Sequence, residues 1–148
     1  LYHFALVEKP QDRDYRPLVV DVDKVPPEIY KDGLIIAEIA EVFQTVLRDT
    51  IEGLVPEDLE FLEQTKSEAS LNRHLIWRTV VIKEKTAKYI TQLVTAEMKK
   101  RYPEHDWQSI IDACVTGANG LRMIGSYKPY KAPDLRRDYP EIWRSHYR

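Results

Sequence analysis

Two carboxylates one residue apart close an apolar run, Leu18-Val19-Val20-Asp21-Val22-Asp23. In extended backbone, alternate side chains share a face. Asp21 and Asp23 then stand together, roughly 6.5–7 Å apart at the backbone, while Val20 and Val22 turn to the core side. Two acids on one face repel unless something neutralises them. A pair of divalent ions about 3.5–4 Å apart does so. Mg2+ favours one or two carboxylates completed by phosphate oxygens. A third acid, Asp112, follows Ile110 and Ile111. Asp21, Asp23 and Asp112 are therefore the candidate catalytic residues and the candidate ligands of two Mg2+ or Mn2+ ions. An Asp-x-Asp alone is weak, because alternating acids also occur on exposed strands without a role. Here the approach is wholly apolar, and Pro26-Pro27 enforces a loop just beyond, at a strand end where open sheets tend to bind ligands.

A second set suits phosphate. In Leu121-Arg122-Met123-Ile124-Gly125-Ser126-Tyr127-Lys128, residues Arg122, Ser126 and Lys128 have the same parity. They offer a planar guanidinium fork, a hydroxyl and a point charge. Gly125 lets a ligand approach the backbone. Read alone, Arg122 and Lys128 are equally well ordinary surface charges. His74 opens a strand in which His74, Ile76, Arg78 and Val80 share a face by alternation. A lone histidine is more often structural, bonded to a carbonyl. The functional alternative is a donor to a triphosphate oxygen or a proton shuttle. His3, His105 and His146 have no such setting.

These residues need a scaffold. Tyr2 to Glu8 reads as a strand, Pro10 to Pro17 as a turn, and Leu18 to Asp23 as a short buried strand. Ile29 to Ile51 carries Ile35, Ile36, Ile39, Val42, Phe43, Val46 and Leu47 at helical spacing, closed by Gly53 and Pro56. Leu59 to Gln64 reads as a strand and Thr65 to Asn72 as a loop. His74 to Ile82, rich in β-branched residues, is a further strand. Thr86 to Tyr102 predicts a helix with Ile90, Leu93, Val94 and Met98 inward, ended by Pro103. A short helix or turn from Trp107 leads to a strand at Asp112, and Leu121 to Tyr127 forms another. The loop-rich remainder could hold a strand near Ile142 to Tyr147. The pattern is α+β, a mixed sheet flanked by helices.

Composition sets the outer bounds. The 148 residues read as one domain, 1–148, excerpted from a longer chain. Hydrophobic residues make up 43% and charged residues 31%, and the net charge of -2 gives no global signature of nucleic-acid binding. The charge is uneven: Leu121 to Arg148 holds seven Lys/Arg against three Asp/Glu, a patch able to attract phosphates or simply a solvated end. Tyr127, Tyr130, Tyr139 and Trp143 in that patch could stack on single-stranded bases, or could pack in core and turns. The single cysteine, Cys114, excludes an internal disulfide and a Cys-rich zinc module, and it fits an intracellular protein. No apolar run spans a membrane. No glycine-rich phosphate loop is present.

The order of these motifs resembles the archaeo-eukaryotic primase superfamily, which includes primase-polymerases. An apolar strand ending in Asp21-Val22-Asp23 comes first, then Arg73-His74-Leu75-Ile76-Trp77, then Ile110-Ile111-Asp112. Asp112 followed by Leu121 to Lys128 is most similar to the primase domains of viral primase-helicases of large DNA viruses. The resemblance covers about Phe4 to Lys128. It implies an archaeo-eukaryotic primase-like core, with an RRM-like sheet, and a DNA primase or primase-polymerase working by two-metal nucleotidyl transfer. Its partners would be a single-stranded DNA template, nucleoside triphosphates and a fused or associated helicase, at an intracellular site of DNA replication. By the same resemblance Asp21, Asp23 and Asp112 hold the metals, and His74, Arg122, Ser126 and Lys128 contact the incoming nucleotide. Many viral relatives have Gly-aromatic-His where this chain has Asn72-Arg73-His74, so Arg73 could add a phosphate contact. The rival readings are a metal-dependent nuclease with His74 as base, a sugar-nucleotide transferase, and a non-catalytic replisome-docking domain.

Overall fold

The structure, a computed structural model, describes residues 7–8, 15–65, 70–112 and 121–122. Its centre is a pair of long antiparallel strands, β2 (Tyr15–Val22) and β4 (Arg73–Lys83). Each carries β-branched or aromatic side chains at alternate positions, and these settle on a half-buried pleated surface. β3 (Leu62–Thr65) pairs with the outer side of β4, and β5 (Ile111–Asp112) with the other side of β2. The order is β3-β4-β2-β5. The sequence suggested a mixed sheet, yet every pairing among the described strands is antiparallel. A separate two-stranded ladder joins β1 (Val7–Glu8) to β6 (Leu121–Arg122). The architecture is α+β, as expected.

One face of the four-stranded sheet is dry. Leu18, Val20, Val22, Leu75 and Trp77 are fully buried there. Two helices, α2 (Leu34–Thr50) and α3 (Glu84–Arg101), pack on each other and supply the other half of this core. Phe43 of α2 and Phe61 both lie with ring centroids 5.3 Å from Trp77, whose indole N–H donates to the Leu59 carbonyl. A fully buried side chain of this size contributes on the order of 1.5–3 kcal/mol. In α3 the inward residues include Thr91 and Thr95, while Leu93 is exposed, contrary to expectation. Each threonine hydroxyl donates to a carbonyl of its own helix, Ala87 and Gln92, which lets it sit inside.

Three local departures matter. The helix expected from Ile29 is broken. α1 (Pro27–Tyr30) ends in a 3-10 turn over Lys31–Gly33, and α2 starts at Leu34. Lys31, Asp32 and Gly33 all have positive φ, which no helix can pass through, and Gly33 at 88° is the residue suited to it. β2 begins before the expected Leu18, at Tyr15, and includes Pro17. Proline has no N–H for a ladder, and here it sits beside the register shift between Pro17 and Leu18. That shift is a bulge in β4: Trp77 faces Leu18, but Val81 faces Pro17. Residues beyond the bulge change faces, so Val80 joins the core with Leu75 and Trp77 and does not share the face of His74.

β5 is placed by the short helix α4 (Trp107–Ile110) that runs directly into it. Trp107 is buried, its N–H donates to the Tyr102 carbonyl at 2.9 Å, and its ring lies 5.8 Å from that of Tyr102. α3 stops at Arg101 because Pro103 cannot extend it, and Lys99, Lys100 and Arg101 suit the negative end of its dipole. No helix among the described residues is long and apolar enough to cross a membrane.

Candidate active site

The sheet face away from the core cluster carries a polar row. Gln64 of β3 is the register partner of His74 in β4, His74 is the partner of Asp21 in β2, and Asp21 is the partner of Asp112 in β5. Directly opposed residues of antiparallel strands point the same way, with Cα atoms about 4.5–5.5 Å apart. The four side chains therefore form one line across the sheet. Asp21 and Asp112, distant in sequence, stand on adjacent strands.

The row is graded in exposure. Gln64 is 8% exposed and His74 4%, while Asp21 is partly open and Asp112 exposed. The His74 ring is clamped between neighbours: Nδ1 lies 3.2 Å from Gln64 Oε1, and Nε2 faces Asp21 Oδ1 at 3.4 Å. Asp112 lines an open cleft of about 310 Å³ shared with Lys88, Thr91, Gln92 and Thr95 of α3 and with Gln108 and Ile111. Lys88 is held above the usual lysine pKa, first by its bond to Glu84 at 2.8 Å, and Asp112 adds a smaller push the same way.

Asp23 follows the end of β2. Its N–H still bonds the Ile110 carbonyl at 2.9 Å, which keeps the chain alongside β5. Its carboxylate, however, accepts from the Lys24 N–H at 2.8 Å, in a turn where Lys24 has a positive φ of 56°. The simple alternation expected for Asp21 and Asp23 thus stops at Val22. Among the described residues, no three His, Cys, Asp or Glu side chains gather closely enough to hold one metal ion. What the register brings to adjacent strands is a pair of hard oxygen donors, Asp21 and Asp112. That chemistry suits Mg2+ or Mn2+, ions that take a few carboxylates and complete their shell with water and phosphate.

Arg73 has a different part from the phosphate contact considered for it. Its guanidinium donates to Glu63 at 2.7 Å, to Thr65, to the carbonyls of Ser70 and Asn72, and to the Tyr30 hydroxyl at 2.8 Å. These bonds tie the β3–β4 connection to α1. Of the expected phosphate set, Arg122 lies on β6, its backbone opposite Val7. Ser126 and Lys128 lie outside the described residues. Gln64 was not anticipated. Nothing in Leu62-Glu63-Gln64-Thr65 marks it out, and only the β3–β4 register brings it to the histidine.

No curated protein and no solved structure matches the chain. A family model does, over residues 2–138: the C962R protein N-terminal AEP domain, AEP denoting archaeo-eukaryotic primase. The match runs through the Asp21 strand, the His74 strand and Asp112 in one span. With nearly the whole chain covered and the three motif strands adjoining in one antiparallel sheet, this chain belongs to the C962R N-terminal AEP domain family, a primase-like family of viral primase-helicases.

Proposed function

We propose that the chain is the catalytic domain of a DNA primase or primase-polymerase, joining nucleotides on a single-stranded DNA template by two-metal nucleotidyl transfer. The observation that carries this reading is the direct register of Asp21 with Asp112 beside a buried His74. Asp21 and Asp112 would hold a divalent ion between them. Asp23, on the adjoining turn, would contribute once its carboxylate exchanges the Lys24 amide for a cation. Bound there, Mg2+ or Mn2+ supplies Lewis acidity for the attacking 3′-hydroxyl and offsets charge on the pyrophosphate leaving group. The protein's own work is positioning. His74 holds Asp21, and Arg122, Ser126 and Lys128 are the proposed grip on the triphosphate. In the full protein, a helicase is the expected partner.

The test is incubation with single-stranded DNA, nucleoside triphosphates and Mg2+ or Mn2+. New oligonucleotides identify a primase, and extension of a supplied primer alone identifies a polymerase. Shortened template without nucleoside triphosphates identifies a nuclease, and inertness leaves a docking domain. Asp21→Ala combined with Asp23→Ala should abolish synthesis in a protein that still folds; relief of carboxylate repulsion raises its melting temperature, and loss of the His74 Nε2 partner lowers it. Synthesis retained by the double variant refutes the metal assignment.

A further inference from the structure

We infer that Gln64 is a positioning residue that acts through His74 to hold the Asp21 carboxylate in its metal-facing orientation. The inference rests on the two-metal reading above. A buried imidazole must satisfy both ring nitrogens, since burying an unpaired polar atom is costly. In His74 one nitrogen faces Gln64 and the other faces Asp21, and the side chain is 5% exposed. A carboxylate only accepts, so Nε2 must carry its proton to be held by Asp21. Nδ1 then needs a partner on its far side. Glutamine provides one in either ring form: its oxygen accepts from a protonated Nδ1 as placed, and its NH2 donates to a bare Nδ1 after a half-turn of the amide. An apolar side chain does neither, and a carboxylate does only the first. Gln64 is itself 8% exposed on a four-residue strand, so its amide is held in a narrow range of directions.

Groups bonded directly to a metal ligand, as His74 is to Asp21, typically influence metal affinity or activity by about 10–100-fold, and Gln64, one contact further out, is expected at the low end of that range. Gln64→Met preserves size and removes both functions of the amide. Mn2+ binding, followed by electron paramagnetic resonance without nucleotide or template, should weaken about tenfold in Gln64→Met. Thermal melting of Gln64→Met should fall modestly, because Nδ1 of the buried His74 loses its partner, with the protein still folded at the assay temperature. Mn2+ affinity in a folded Gln64→Met equal to wild type overturns the inference and leaves the two-metal reading standing. Wild-type protein that binds no Mn2+ and makes no primers overturns both. Should Gln64→Met melt well below wild type, the ring-nitrogen resonances of His74 in wild-type protein decide. A proton on Nε2 with Nδ1 hydrogen-bonded supports the chain of contacts, and a bare Nε2 overturns it.

Discussion

The two faces of the four-stranded sheet are made by the same strands under opposite rules. On the helix side, Leu18, Val20, Val22, Leu75 and Trp77 exclude water and meet α2 and α3. On the other side, the same two central strands present Asp21 and His74, flanked by Gln64 and Asp112. The dry face is stabilised by area and close packing, which act without direction. The polar face sets two carboxylates opposite each other and sequesters an imidazole. Like charges directly opposed across a ladder cost stability, a cost that the metal role proposed for this face would offset. The contrast teaches that stability and function are separable along β2, residue by residue.

Substitutions can break that separation or sharpen it. The largest expected effect is on the dry side. Trp77→Ala should cost about 3–5 kcal/mol, because it opens a cavity between Phe43 and Phe61 and leaves the Leu59 carbonyl with the Gln44 amide as its one remaining side-chain donor among the described residues. Urea melts would measure it, and a cost below about 1 kcal/mol would mean the core is not organised around this ring. Next comes the polar side. Asp112→Asn should lower primer synthesis by about a hundredfold, on the order of 2.7 kcal/mol in the barrier, with melting unchanged or raised. A clear fall in melting temperature with synthesis intact would reverse the proposed division of labour. Arg73→Met should destabilise by about 1–3 kcal/mol through its lost bonds to Glu63, Thr65 and Tyr30. Because those N–H groups are used within the fold, the nucleotide KM of the folded variant should stay at the wild-type value. A raised KM would return Arg73 to the phosphate set.

The smallest effect is electrostatic, at the entry to α4. Asp106 is held below the ordinary carboxylate pKa of 3.8, chiefly by the Ser109 hydroxyl at 2.5 Å, with the Ser109 and Gln108 amides and Lys99 assisting. A lowered folded-state pKa gives stability that is complete above the unfolded value. That stability is lost as pH falls through the folded value. Ser109→Ala should therefore move the Asp106 titration upward in a carboxylate NMR titration. The accompanying small loss in melting should be seen above the ordinary carboxylate range and should vanish in acid, as pH falls through the folded-state value. An unmoved titration would show that the hydroxyl does not hold the acid.

Much of this architecture was legible because it depends on periodicity. Val20 and Val22 lie inside as alternation required, and the expected apolar stripe of α2 is buried apart from the half-buried Val46, with Ala40 joining it. The short helix before Asp112 followed from Trp107 and the two isoleucines. What escaped the sequence depends on geometry between segments. The turn at Lys31 breaks the first helix because that lysine adopts a left-handed backbone, which its side chain does not advertise. Val80 changed faces because a bulge in β4 altered the parity on which alternation relies. Gln64 looked like its neighbours until register paired it with His74. The opposition of Asp21 and Asp112 could be expected only from the order of motifs, since residues so far apart have no shared period.

Asp21 and Asp112 are not held alike. Asp21 sits on an inner strand with a ladder on each side and an imidazole against its oxygen. Asp112 ends a two-residue strand that has one ladder among the described residues and follows directly on the Trp107 helix. The pair therefore resembles a vice with a fixed jaw and a moving one. Under the proposed metal role, adjustment to a cation of a different radius would fall on the Trp107 side, and whatever presses on that helix would set how far the jaws stand apart.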